Sequence, residues 1–315
     1  MRLRDRVVYL AARLAIGIAA RVPERLGYGL AGLLGRFWFR VDRRRRGYAL
    51  HFLQNAYSDL SESELLRIGA RSTANLFKVP LDMARLTRLL DRGGTLDEVC
   101  DFSEAEAVLA STKQFLGFTA HLGSWEVGAA AVAHRVGEAH GIARVTRNPL
   151  LQRWILANRE RAGLHIHARR GGLRDLAAAM ERGACGLQVV DQNQRLRGVF
   201  APFFGEIASC ERAAVTLALR HGYPLVAGVG YRVGPGFRFR LALHEPFVPT
   251  KTGDRALDLY NGVVEVNRRL EEMIRRAPEQ YLWIHDRYRK KPPPGWQAGD
   301  DGAGDEDGDG DGAGA

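Results

Sequence analysis

Thiols are scarce in this chain. Cys100, Cys185 and Cys210 stand far apart and form no C-x-x-C pair, so no disulfide framework is expected and a reducing compartment is favoured. No glycine-rich phosphate loop is expected between a strand and a helix, and no G-x-x-x-x-G-K run occurs. Nucleotide cofactors are therefore not expected. There is no H-E-x-x-H, and although His165 and His167 alternate around Ile166, no cysteine or carboxylate nearby has ligand spacing. No metal site is expected. No cleavable signal pattern stands out, and no internal repeat is visible. No apolar run reaches the roughly 20 clean residues of a spanning helix.

Charge and apolarity are abundant instead. The 315 residues carry 46 Lys and Arg against 36 Asp and Glu, a net charge of +10. Seven of the acids (Asp300, Asp301, Asp305, Glu306, Asp307, Asp309, Asp311) sit in the last sixteen residues. Without them the net charge would rise by seven, which suits an anionic partner: phospholipid, nucleic acid or an acidic carrier protein. The Gly/Asp/Ala composition of residues 297–315 cannot build a core, so a disordered tail is expected.

The N-terminal segment 1–46 reads as membrane-associating. Val7–Ala20 and Leu26–Phe39 are apolar runs separated by Val22-Pro23-Glu24 and interrupted by Arg13 and Arg36. Arg2, Arg6 and Arg13 fall near one helical face and Leu3, Val7, Leu10 and Leu14 on another, the pattern of a helix lying in the headgroup region. Arg43-Arg44-Arg45-Arg46 follow at once, a basic cluster suited to a cytoplasmic, anionic lipid surface. Two core helices and a solvated charge run are the alternative.

Residues 47–296 form the expected catalytic domain. Ser61 and Glu64 offer a capping box for a helix within 47–90. Short apolar runs at Phe115–Ala120, Ile142–Thr146, Gly186–Asp191 and Leu225–Gly230 alternate with helical stretches near 124–136, 148–162, 173–182 and 211–221. This alternation predicts an α/β fold, a sheet layered with helices. Phe237–Leu243 alternates as a half-exposed strand after a Gly234-Pro235-Gly236 turn, and Leu257–Arg276 reads as an amphipathic helix.

The sharpest feature is His121-Leu122-Gly123-Ser124-Trp125-Glu126. It follows an apolar strand and opens a helix, so His121 sits where ligand crevices of α/β sheets open. Gly123 permits the turn, Ser124 can cap the helix, and Glu126 lies in its first turn. A carboxylate that meets the imidazole would keep one ring nitrogen protonated and free the other to take a proton. Taken alone, a His and a Glu at this spacing are as compatible with a capped structural turn.

With its neighbours, the motif resembles the late acyltransferases of lipid A biosynthesis, within the lysophospholipid acyltransferase superfamily. His-x4-Glu after a strand is similar to their signature, although many glycerolphosphate-type relatives have Asp where this chain has Glu126. Further resemblances follow in order: Val145-Thr146-Arg147-Asn148-Pro149-Leu150-Leu151, shortened and without the usual Tyr; Asn158-Arg159; Arg169-Arg170-Gly171-Gly172; Val189-Val190-Asp191-Gln192; Pro202-Phe203-Phe204-Gly205; and Glu279-Gln280-Tyr281-Leu282-Trp283-Ile284-His285 with Arg287. They span roughly residues 1–293.

The resemblance implies a mixed, mainly parallel sheet flanked by helices, of glycerolphosphate-acyltransferase type, with N-terminal membrane-associated helices. It implies transfer of a fatty acyl chain from acyl carrier protein, or acyl-CoA, to a hydroxyl of a lipid A precursor at the cytoplasmic face of a bacterial inner membrane. His121 would be the general base and Glu126 would orient and charge-stabilise it. N–H groups near Gly123 would stabilise the oxyanion. Arg159 and Asp191 would support the site, an Arg159–Asp191 structural ion pair being the alternative, and Arg147 and Arg170 would be anion sites. Tyr281, Trp283, Tyr288 and Trp296 among Arg287, Arg289, Lys290 and Lys291 form a basic–aromatic segment suited to a membrane or carrier-protein face rather than to nucleic acid. Another glycolipid or phospholipid acceptor, or a non-enzymatic basic membrane or nucleic-acid binding protein, are the competing readings.

Overall fold

Ser61 starts the longest helix as its sequence predicts. The Ser61 hydroxyl accepts from the Glu64 N–H, and the Glu64 carboxylate accepts from the Ser61 N–H at 2.9 Å. The computed structural model describes residues 3–143, 146, 148–169 and 171–300. Residues 301–315 of the expected tail, and Arg147 and Arg170, lie outside the described residues.

Four helices lead: α1 (Leu3–Ala19), α2 (Glu24–Val41), α3 (Arg43–Ala56) and α4 (Glu62–Asp91). An alternating series follows: β1 (Cys100–Asp101), α5 (Glu106–Ser111), β2 (Leu116–Thr119), α6 (Trp125–Val136), β3 (Ala139–Ala143), α7 (Pro149–Arg161), β4 (Leu164–Ala168), α8 (Gly172–Glu181) and β5 (Cys185–Val189). The hairpin β6 (Val199–Phe203) and β7 (Glu206–Cys210) precedes α9 (Ala213–His221), β8 (Leu225–Arg232), β9 (Phe239–Leu243) and α10 (Arg255–Arg276).

Seven strands form one sheet in the order β1-β9-β8-β2-β5-β3-β4. All neighbours are parallel except β8 and β9, which the 234–236 turn connects as an antiparallel pair. The α/β fold with a mainly parallel sheet is therefore as expected. Strand β3 begins at Ala139, three residues earlier than its apolar signal, because His140 and Gly141 are recruited into the ladder against β4 and β5. Strand β9 is not half-exposed: it lies between β8 and β1, and only Arg240 of its five residues escapes full burial. Pro202-Phe203-Phe204-Gly205 is the tip of the β6–β7 hairpin. Phe204 and Gly205 both take positive φ there, +48° and +77°, the two-residue geometry that matches strand twist.

The alternation along the strands sorts the layers. Leu116, Gly186 and Leu225 lie in register on one face, against Leu176 and Met180 of α8 and, further along, α9 and α10. Gly117, Leu187 and Val226 lie on the opposite face, under α6.

Helices α1 and α2 carry most of the exposed large apolar residues, among them Leu10, Leu14, Leu33, Leu34 and Phe37. Among the described residues no helix is long and apolar enough to cross a membrane. The stretch Gly27-Tyr28-Gly29-Leu30-Ala31-Gly32 has the spacing of a dinucleotide fingerprint, but it lies inside α2, where no loop can cradle a phosphate. One α2 glycine serves close packing instead. A Cβ on Gly35 would lie 2.6 Å from the Thr73 carbonyl oxygen of α4. Helix α2 thus belongs to the folded body, with Tyr28 and Phe39 buried.

Candidate active site

Register places the reacting groups. Parallel neighbours β2 and β5 pair Thr119 with Val189. Two residues further along each chain stand His121 and Asp191, on the same side of the sheet and at its carboxyl edge. Asp191 is buried, at 3% exposure. Its Oδ1 is 2.7 Å from His121 Nδ1, and its Oδ2 accepts the His121 backbone N–H at 2.9 Å. A carboxylate accepts only, so Nδ1 carries the proton and Nε2 is left unprotonated, able to accept one.

The electrostatics of the pair follow from burial and contact. Burial opposes charge on His121, but the Asp191 charge and hydrogen bond, with a further contribution from Glu126, raise its pKa above the ordinary histidine value. Burial likewise opposes ionisation of Asp191, yet His121, through its charge, its ring and its backbone N–H, holds that carboxyl below the ordinary range. Tyr281 is buried nearby, and burial and the Asp191 charge keep its phenol protonated. His285, whose pKa burial lowers, accepts the Asn193 N–H on Nε2 at 3.1 Å and so anchors the loop after Asp191.

Glu126 does not orient the imidazole. Its two oxygens accept a fork from Arg159, Nε at 3.1 Å and Nη2 at 2.7 Å. The expected His121–Glu126 contact and the alternative Arg159–Asp191 pair are thus both replaced by His121–Asp191 and Glu126–Arg159. Glu126 projects from the first turn of α6, toward the neighbouring helix α7 that bears Arg159. Asp191 reaches the ring along the sheet instead.

Three of the N–H groups expected as oxyanion donors are also spent. The Leu122 N–H is donated to Ala120, that of Gly123 to Gln280 and that of Ser124 to Gly230. Gly123 has φ +63°, and a Cβ there would lie 2.2 Å from the Gly230 carbonyl oxygen, so the turn is built by close backbone approach. Ser124 stands at the α6 N-cap without a side-chain capping bond.

A buried polar network missed in the sequence holds this turn. Asn75 of α4 donates to the Gly123 carbonyl at 2.8 Å and to the Gln280 carbonyl at 3.2 Å. Its own carbonyl accepts from Arg232 Nε at 3.0 Å. Arg232 also forks onto Asp82, whose Oδ1 accepts from Tyr28 at 2.7 Å. The only sequence signal was the position of these polar residues within apolar helical or strand patterns.

Three cavities meet around the site. An apolar cavity of about 350 Å³ runs under α6 along the sheet. Its floor includes Gly117, Gly141 and Gly228, its walls Val132 and Leu187, and His121, Glu126, Arg159 and Gln192 also line it. A second apolar cavity, about 260 Å³, lies among α1, α4 and α7 and reaches the Glu126–Arg159 pair from the other side. A polar cavity of about 870 Å³ shares Arg169, Val189 and Gln192 with the first. Gln192 Nε2 is 3.4 Å from His121 Nε2, and the Trp125 ring stands edge-on to the imidazole with centroids 4.8 Å apart.

The 281–291 segment is not a docking face as a whole. Trp283, Arg287, Tyr281 and Tyr288 are buried. Arg287 donates to the Ser209 carbonyl at 2.7 Å and Tyr288 to that of Phe203 at 2.7 Å, so these residues pin the β6–β7 hairpin. His165 and His167 flank His140 in a stacked array, with His140 Nε2 bonded to Glu138 at 2.6 Å. Among the described residues no group of His, Cys, Asp and Glu has metal-binding geometry.

The carboxyl edge of this mainly parallel sheet thus presents a histidine paired with a buried carboxylate beside an apolar cavity, and the protein's likeness to known proteins makes it an acyltransferase. Residues 3–290 match the family described as bacterial lipid A biosynthesis acyltransferase, and the chain belongs to that family. It is similar to the lipid A biosynthesis lauroyltransferase of Escherichia coli (strain K12), 25% identical over 297 residues that cover 90% of this chain and 93% of the relative. It is also similar to the lipid A biosynthesis palmitoleoyltransferase of the same strain, 26% identical over 147 residues, 46% of each chain. A lipid A biosynthesis acyltransferase of Haemophilus influenzae is 22% identical over 272 residues, 85% of this chain and 83% of that protein. The non-enzymatic reading falls with this membership.

Proposed function

We propose that the chain transfers a fatty acyl group from an acyl thioester to a hydroxyl of a lipid A precursor, with His121 as general base. The hydrogen bond from His121 Nδ1 to buried Asp191 supports this most directly. Nε2 takes the acceptor's hydroxyl proton as the oxygen attacks the thioester carbonyl. The carbon–sulfur bond then breaks, the thiolate leaves, and the imidazolium returns the proton to sulfur. Asp191 orients the ring and stabilises the imidazolium, and Glu126 adds negative charge at longer range. Arg159 uses Nε and Nη2 on Glu126, so Nη1 remains to face the carbonyl oxygen as it becomes an oxyanion. The acyl chain lies in the glycine-floored cavity under α6.

The donor in this reading is an acyl carrier protein, attracted by the basic body. Acyl-CoA is the alternative, and Gly123, Arg147 and Arg170 support the site through the turn and through anion contacts. The apolar faces of α1 and α2, with Arg43–Arg46 behind them, rest on the cytoplasmic surface of the inner membrane. The test is to offer both thioesters with a lipid A precursor to the wild type and to His121→Ala. Product mass identifies donor and acceptor. Undiminished transfer by folded His121→Ala would reject the mechanism.

A further inference from the structure

The chain carries its own strong anion. Asp300 and the six acids from Asp301 to Asp311 make seven in twelve residues, and nothing apolar among them is larger than alanine. Such a composition cannot bury enough apolar surface to join a core, so only charge attracts it to the folded body. The contacts just before this run give it a target. Trp296 stands edge-on to Phe200 with ring centroids 6.1 Å apart, and the Lys290 ammonium lies 5.5 Å from the centre of the same Phe200 ring. Lys290 also donates to the Leu196 carbonyl at 3.3 Å. Residues 297–300 then close a turn, with the Gln297 N–H donated to Asp300 at 2.7 Å. The acidic run therefore begins four residues beyond a ring that shares Phe200 with Lys290. The loop at Lys290 is cationic and open. Arg195, Leu196 and Arg197 are exposed, Leu196 at 83%, and so is Arg289. Neither Arg195 nor Arg197 has a side-chain hydrogen bond or ion pair among the described residues. The acids nearby are engaged: Glu206 accepts from His51, Asn55 and Lys291, and Glu211 from Gln194 and from the Arg212 and Ala213 N–H groups. Asp286, which lines the polar cavity together with Arg195 and Arg289, offsets part of one charge.

We propose that the acidic segment 300–311 docks on the patch of Arg195, Arg197, Arg289 and Lys290, and acts there as a tethered competitor of anionic partners that approach the site. The docking stands by itself; its effect on turnover rests on the acyl-transfer reading. Arg195 and Arg289 line the polar cavity that shares Gln192 with the cavity of His121, so a segment held on them lies at an entrance to the site. Reach is sufficient: the eleven residues from Asp301 to Asp311 extend up to about 36 Å. A short tether supplies an effective concentration in the mM range, so a contact with an intrinsic Kd of about 0.1 mM is closed roughly nine times in ten and weakens a competing anion about 10-fold. Because the charges on both sides are exposed, the contact opens as salt shortens the screening length from about 10 Å at 0.1 M to about 3 Å at 1 M. A partner of higher negative charge displaces the segment, and a weakly charged one does not, which makes the tail a filter for the charge of what docks.

The test uses the full chain in nonionic detergent and a full-length variant in which the six acids from Asp301 to Asp311 are changed to their amides. A zero-length carbodiimide joins carboxylates to lysine amines, and mass spectrometry identifies the linked pairs. Links from the acidic segment to Lys290 should outnumber those to Lys113, which is exposed just before β2 at the opposite edge of the sheet, and should fade in about 1 M salt. A fluorescent peptide with the sequence of residues 300–311 then probes the open patch. It should bind the amide variant about 10-fold more tightly than the full chain, whose own segment competes. Adding Arg195→Gln with Arg197→Gln to the amide variant should remove most of that binding, whereas Arg44→Gln with Arg45→Gln should leave it unchanged. Links spread evenly over Lys113 and Lys290, or equal affinity of the peptide for the two proteins, overturn the proposal. So does peptide binding that is lost only on changing Arg44 and Arg45, which would place the segment on the α3 cluster. In acyl transfer at low salt the amide variant should show the higher kcat/KM, and an unchanged value overturns the competitor role. Docking of the segment with no transfer by either protein would instead reject the acyl-transfer reading while retaining the docking.

Discussion

Replacing Asp191 by Asn keeps shape and volume but changes what the two His121 N–H groups meet. Both are donated to this one carboxylate, the ring at 2.7 Å and the backbone at 2.9 Å. A carboxamide has one oxygen and one NH₂. If the oxygen keeps the backbone N–H, the NH₂ faces Nδ1 and the ring must place its proton on Nε2, where it can no longer accept one. If the oxygen keeps the ring, the NH₂ confronts the backbone N–H in a buried site. Loss of a bond to a charged group costs about 1.5–3 kcal/mol of stability. Loss of the correctly held base costs on the order of 10²–10⁴ in rate. Charge matters as well. The pKa of His121 is raised because Asp191 outweighs burial, so wild-type kcat/KM should climb with pH through a value above the ordinary ~6.5. In Asp191→Asn burial acts almost unopposed, and the residual activity should titrate at lower pH. The assay is acyl transfer from pH 5.5 to 9 on protein whose fold is checked by circular dichroism. Rates within about 3-fold of wild type, or an unshifted pH profile, would refute the assignment of Asp191 as the orienting carboxylate.

Glu126→Gln should lower kcat while moving the pH profile less than Asp191→Asn does, because Glu126 touches Arg159 and not the ring; a larger shift than in Asp191→Asn would reverse the two roles. Arg159→Lys should lose on the order of 10-fold or more in kcat, since an ammonium cannot reproduce the fork on Glu126, and full activity would show that the fork is dispensable. Gly228→Ala should shift product lipids toward shorter acyl chains, because its Cβ would stand 2.7 Å from Leu243 Cδ2 in the acyl cavity; an unchanged chain distribution by mass spectrometry would place the chain elsewhere. Leu33→Asp with Phe37→Asp, both on the exposed face of α2, should lower vesicle binding by on the order of 1,000-fold, at about 2 kcal/mol for each apolar side chain withheld from lipid, and cosedimentation equal to wild type would remove α2 from the membrane contact.

The parts of the site that were legible in the sequence are the parts that local spacing controls. Strand, glycine turn and helix around His121 are contiguous, so the turn at 121–126 and the position of the histidine at a strand end follow from neighbours in the chain. The identity of its partner does not. Asp191 is 70 residues away, and its contact with the ring depends on β2 and β5 being adjacent and in a register that pairs Thr119 with Val189. Strand order is set by packing on both faces of the whole sheet, not by any window of sequence, so the nearer carboxylate, Glu126, looked like the partner. Family resemblance marked Asp191 and Arg159 as functional without saying which acid each base would meet. The N–H groups of Gly123 and Ser124 are taken from an oxyanion hole for the same reason. Whether an N–H is free depends on which distant carbonyl approaches it, and here Gln280 and Gly230 do. The aromatic–basic segment at 281–291 read as a surface because arginine and tyrosine are usually solvated. Backbone carbonyls accept from them instead, those of Ser209 and Phe203 in the distant β6–β7 hairpin for Arg287 and Tyr288 and that of Pro278, five residues back, for Trp283, and that allows them to be buried. Polar groups become core residues when acceptors from elsewhere in the fold converge on them. Arg232 follows the same rule, buried because Asn75 and Asp82 accept from its guanidinium.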